Sequence, residues 1–91
     1  MPMTAVWLKI DGQDAPAALR AALEKLDSAD GEMVLDFSHV RRVDPSALRV
    51  MERLAGVAAE KAVKVVLCGV NVDIYKALKL MRLAPLFSFL N

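Results

Sequence analysis

The side chains able to do chemistry in this 91-residue chain are few. It has one histidine, His39, and one cysteine, Cys68. Two carboxylates, Asp36 and Asp44, flank a short polar segment, and Ser46 follows just after Asp44-Pro45. Nucleophilic catalysis needs a hydroxyl or thiol beside a base that a third group orients. A zinc site needs about four His, Cys or carboxylate ligands, and proton shuttling or magnesium binding needs carboxylates that converge. None of these sets assembles. His39 stands alone in a turn after an apolar run, and Cys68 closes the apolar run Val65-Val66-Leu67 as a small core residue. Asp36 ends a strand and Asp44 caps a helix. The four glycines are scattered, so no phosphate-binding loop is present. The chain reads as non-enzymatic, with no metal and no cofactor.

What remains distinctive is the segment from Met33 to Leu54. It opens with the apolar run Met33-Val34-Leu35, then Asp36-Phe37, which reads as a short buried strand. Val40 and Val43 flank the basic pair Arg41-Arg42. Asp44-Pro45-Ser46 then starts a helix. The Asp44 carboxylate can accept from unsatisfied N–H groups of the first turn. Pro45 suits the first helical position, where its missing N–H costs nothing. A strand whose C-terminal loop feeds a helix N-terminus is a common way to build a site in an α/β domain.

Composition narrows what such a loop could touch. Net charge is +1, with both signs mixed along the chain. Without a Lys/Arg block, and with only Trp7, Tyr75 and three Phe to stack on bases, nucleic-acid binding is not expected. No apolar run is long enough to cross a bilayer, and Met1-Pro2-Met3-Thr4 lacks the charged start and apolar core of a signal peptide. A lone cysteine cannot form an internal disulfide, so the chain reads as cytoplasmic. The hydrophobic share of 56% is high enough to leave apolar side chains for a protein partner.

The elements that must position the loop follow from periodicity. Ala5 to Ile10 alternates as a strand, with Val6, Leu8 and Ile10 on one face and Trp7 and Lys9 on the other, as on an edge strand. Asp14 caps a helix with Leu19, Leu23 and Leu26 along one side. After the breaker Asp27 to Gly31 comes the strand at Met33. A second helix is predicted over Pro45–Lys61. Ala47, Leu48, Met51, Leu54, Ala55, Ala58 and Ala62 lie within about 120° of arc. A second stripe, Ser46, Val50, Arg53 and Val57, contains two valines that the core does not need and reads as a docking surface. Lys64 to Cys68 is another buried strand. Asn71 caps a third helix with Ile74, Tyr75, Leu78 and Met81 on its apolar face. Ala84-Pro85 ends that helix, and Leu86 to Leu90 forms a last strand or apolar tail. The alternation implies a single α/β domain over residues 1–91, with a mostly parallel (mixed) four-stranded sheet and about three helices mainly on one face. The other sheet face is then partly exposed or covered by a partner, and homodimerisation through it or through the apolar tail is plausible.

These residues carry a family resemblance. Val34-Leu35-Asp36-Phe37-Ser38, a short gap, then Val43-Asp44-Pro45-Ser46-Ala47-Leu48 resembles the core motif of STAS domains. Cys68-Gly69-Val70-Asn71 with Ile74 to Leu80 resembles the family's second landmark, and Leu8 to Gly12 its first strand and glycine. The resemblance spans nearly the whole chain. It implies a bacterial anti-sigma-factor-antagonist-like regulator of transcription that binds an anti-sigma factor, often a serine kinase, through this loop and helix. Val40 to Asp44, and Gly69-Val70-Asn71 with Tyr75, also resemble the small STAS subunit that supports the ATPase of bacterial lipid-transport ABC systems. In the antagonists, phosphorylation of the Ser or Thr after the Asp switches binding off. Here that position is Pro45, Ser46 stands one residue further on as the remaining phosphorylation candidate, and Ala47 replaces the motif glycine. The chain also shows one N-terminal strand where the family often has two, and no final helix. The expected contact set is Asp44, Pro45, Ser46, Arg49, Val50, Arg53 and Val57, with Arg41 and Arg42 at the rim.

Overall fold

A computed structural model describes residues 6–90. Strand β1 (Val6–Lys9) leads into helix α1 (Ala15–Lys25), followed by a 3-10 turn at Leu26–Ser28 and strand β2 (Glu32–Asp36). Helix α2 (Pro45–Glu60), strand β3 (Lys64–Cys68) and helix α3 (Val72–Leu80) come next, then a 3-10 turn at Ala84–Leu86 and strand β4 (Ser88–Leu90). The sheet order is β1-β2-β3-β4 and every pairing is parallel. The expected mostly parallel sheet is thus parallel throughout the described strands. The predicted strand start at Ala5 lies outside the described residues.

Strand alternation divides the sheet into two unlike faces. Met33, Leu35, Val65 and Leu67 point to one side, where they join Leu19 and Ala22 of α1, Met51 and Leu54 of α2, and Ile74 and Leu78 of α3 in one core. All three helices therefore lie on that face, as expected. Each large side chain buried there contributes roughly 1.5–3 kcal/mol. On the other face Trp7, Val34, Val66 and Ser88 stand in register. Val34 and Val66 are buried, whereas Trp7 is 62% exposed.

Some expected positions shift. Leu23 is only partly buried, and Ala15 and Ala22 complete the inner side of α1 with Leu19. Ala62 is not on the apolar side of α2. It follows the helix end with φ 57°, the left-handed turn through which the Val63 N–H reaches the Ala58 carbonyl at 2.8 Å. On α3 only Ile74 and Leu78 are buried, while Tyr75 and Met81 are 41% and 54% exposed. Nine residues give α3 just two inward positions, so its flanks remain open.

Candidate functional site

The loops at the C-terminal ends of β1, β2 and β3 meet around Ser38 and His39. Gly69 has φ 70°, and a Cβ there would sit 2.7 Å from the Ser38 nitrogen. A Cβ on Gly12 would collide with the His39 carbonyl. Glycine at both places lets two neighbouring loops close on the third. The β2–α2 loop is also anchored from within. Phe37 and Val40 are buried, the Phe37 N–H donates to the Cys68 carbonyl at 2.8 Å, and the Val40 N–H donates to the Phe37 carbonyl at 2.9 Å. Fixing Val40 inward leaves Arg41 and Arg42 outward, as the sequence expectation has them.

The polar groups of this loop are used in building it. Asp36 Oδ1 accepts from the Ser38 N–H at 2.9 Å and from the Ser38 hydroxyl at 2.6 Å. These bonds, the hydroxyl's first, hold the Asp36 carboxyl below its usual range. With its proton directed at Asp36, the Ser38 hydroxyl is not aligned for activation by His39, whose Nδ1 lies 3.3 Å away. Burial, and then the neighbouring Asp36 charge, push the Cys68 thiol up and away from the reactive thiolate.

Two caps organise the starts of α2 and α3 beside this loop. Asp44 Oδ1 accepts from the Ala47 N–H at 2.8 Å, with Pro45 in the first turn. Asn71 Oδ1 accepts from the Ile74 N–H at 2.8 Å, while its Nδ2 donates to the Arg41 carbonyl at 3.0 Å and the Val40 carbonyl at 3.4 Å. One side chain thus caps α3 and ties the β3–α3 turn to the basic end of the β2–α2 loop.

The expected contact residues divide among three places. Pro45 and Arg49 line a groove between α2 and α3 together with Leu48, Glu52, Met81 and Leu83. Arg41 and Arg42 line a separate cleft with Asp11, Gly12, Gln13 and His39. Asp44, Ser46 and Arg53 are exposed, with Ser46 and Arg53 on the flank of α2 that also carries Val50 and Val57. That flank is less open than its helical wheel implies. Val50 and Val57 are not spare: both are partly buried against the core, on the side where α1 and α2 pack together and Lys61 pairs with Asp27. A single-helix wheel cannot register how much of each valine the rest of the fold buries. The open apolar surface is instead on the α3 side. Periodicity assigns Leu48 and Met81 to the core, and only their flanking positions on each helix hint that they border a groove.

Among the described residues no helix is long and apolar enough to cross a membrane, and no group of His, Cys, Asp or Glu is arranged to hold a metal.

Comparison with known proteins agrees with this geometry. Residues 9–88 match the family model described as Mlab, STAS domain. Comparison with curated protein sequences returns no match. Among solved structures, the chain is similar to a sulfate transporter family protein from Wolinella succinogenes, with TM-score 0.77 and 17% identity over 98% of this chain and 79% of that one. It is also similar to a provisionally assigned anti-sigma factor antagonist from Thermotoga maritima, with TM-score 0.76 and 16% identity over 99% of this chain and 85% of that one. The solution structure of the Thermotoga protein TM1081 gives TM-score 0.77 and 16% identity, covering 96% and 74%. At these identities the structural matches speak for the fold.

Proposed function

The chain belongs to the STAS domain family, and on that premise we propose that it is a non-catalytic, cytoplasmic regulatory module that docks an anti-sigma factor of the serine-kinase type. The docking face comprises the start of α2 and the α2–α3 groove: Asp44, Pro45, Ser46 and Arg49, with Leu48, Glu52 and Met81 completing it and Arg41 and Arg42 at its rim. The observation that carries the reading is the composition of this groove. A capped, rigid helix start presents Arg49 beside exposed apolar Met81, a combination that favours recognition by a protein.

Pro45 shapes the regulation. It has no hydroxyl, so the acceptor position of the family pattern cannot be phosphorylated, and docking is constitutive unless Ser46 takes over that role. Ser46 is exposed and is the sole hydroxyl of the first turn. A phosphate on Ser46 would be favoured by the helix N-terminus and would add about two negative charges to the docking face.

The test is capture of partners by the tagged chain from its native cells, with mass spectrometry of what binds. We expect an anti-sigma factor with a kinase domain, and loss of that capture in Arg49→Glu/Met81→Glu, whose substituted side chains are exposed. Undiminished capture by this variant would remove the groove from the reading. One observation favours a second partner class, the ATPase of a lipid-transport ABC system. Asn71 joins by hydrogen bonds the two segments that resemble the STAS subunit of those systems, and the family model that matches carries the description Mlab. Recovery of such an ATPase in the same experiment would decide for it.

A further inference from the structure

The far side of α3, facing away from α2, carries a second surface of different chemistry. From Ile74 to Asn91 the sequence contains Lys76, Lys79 and Arg82 and no acidic residue, so all 11 carboxylates of the chain lie at or before Asp73. Among the described residues, six of the seven large apolar side chains that remain exposed lie between Val72 and Leu90. Past Asp73 in the first turn of α3, positive charge and exposed apolar area thus occur together on the rest of α3, its following turn and β4.

This surface is concave. A groove of about 470 Å³ is floored by Tyr75, Ala84, Pro85 and Phe89 and rimmed by Lys79 and Arg82. Tyr75 meets Phe89 edge to face, with ring centroids 5.3 Å apart and an interplanar angle of 77°. A second recess, bounded by Val70, Asn71, Val72 and Leu90, also involves Tyr75 and Phe89. Two recesses that share Tyr75 and Phe89, the first largely apolar with Lys79 and Arg82 on its lip, suit a segment that offers apolar anchors flanked by carboxylates.

We infer that the α3–β4 face docks an acidic amphipathic segment of another protein. The proposal goes beyond the reading given for the α2–α3 groove and uses the opposite flank of α3. The charge pattern disfavours a second copy of this chain here, because a two-fold contact would set Lys76, Lys79 and Arg82 against themselves. The concavity disfavours a lipid surface, which meets protruding side chains rather than filling recesses.

The test is a nitrogen-15 correlation titration of the full chain with a synthetic helical peptide carrying leucines along one face and glutamates on both flanks. Shifts concentrated at Tyr75, Lys79, Arg82 and Phe89, weakened by salt, are expected. Lys79→Glu/Arg82→Glu should reduce affinity by about tenfold or more. Arg82 has φ 60°, so Lys76→Glu/Lys79→Glu serves as a second variant on exposed positions of α3 and should weaken binding in the same direction. The proposal is overturned if the peptide leaves these residues unshifted, if a lysine-for-glutamate peptide binds as well, or if the charge-reversed but folded variants bind unchanged. It is equally overturned if anionic phosphatidylglycerol vesicles sediment the chain while the peptide leaves it unperturbed.

Discussion

The two flanks of α2, one expected to dock a partner and the other to face the core, end differently from those expectations. On one flank Val50 and Val57 are partly buried against the core. On the other, α3 lies further off, leaving Leu48, Glu52 and Met81 around an open groove. The apolar periodicity of a helix identifies what could be buried. Which border is actually closed depends on how near the next helix comes, and here α1 packs closely on α2 while α3 stands off from it.

The difference can be broken most severely at Val50. Val50→Glu places a carboxylate in a partly closed helix junction and should destabilise the fold by about 2–3 kcal/mol in urea unfolding. An unchanged midpoint would mean that this flank is as open as the other. Asp44→Ala removes the cap at the start of α2, from which both flanks extend, and should cost about 1 kcal/mol by the same measurement. At the other end of α2, Ala62→Gly relieves a left-handed backbone position and should stabilise by up to about 1 kcal/mol, seen as a raised melting temperature. The smallest effect is expected from Lys61→Ala. Its ion pair with Asp27 is well exposed, with side chains 41% and 76% accessible, so its loss should change stability by no more than about 0.5 kcal/mol. A larger loss would show that charge, rather than valine packing, closes the α1 flank.

Much of the architecture was legible because local chemistry and global fold agree. The Asp44-Pro45 start, the Asn71 cap and the Lys64–Cys68 strand were each readable from residues adjacent in sequence. The docking groove was not, since Leu48 and Met81 are far apart in the chain and each looked like a core residue on its own helix. Nor could sequence show that Asn71 would reach the Arg41 carbonyl, a contact between residues 30 apart. Signals carried within one element survive a reading of the chain alone, whereas signals made by two elements meeting require the crossing geometry.

The strand order, identical to the order in which the strands are synthesised, has a consequence for how the molecule forms. Each new strand finds its pairing edge on the strand just before it, and none has to insert between two already joined. Closing each crossover spans only the intervening helix and its turns, so no step has to close a loop across more than one helix. Assembly can then proceed by addition from β1 toward β4 while the chain is still being made, with the outermost contacts of β4 completed last.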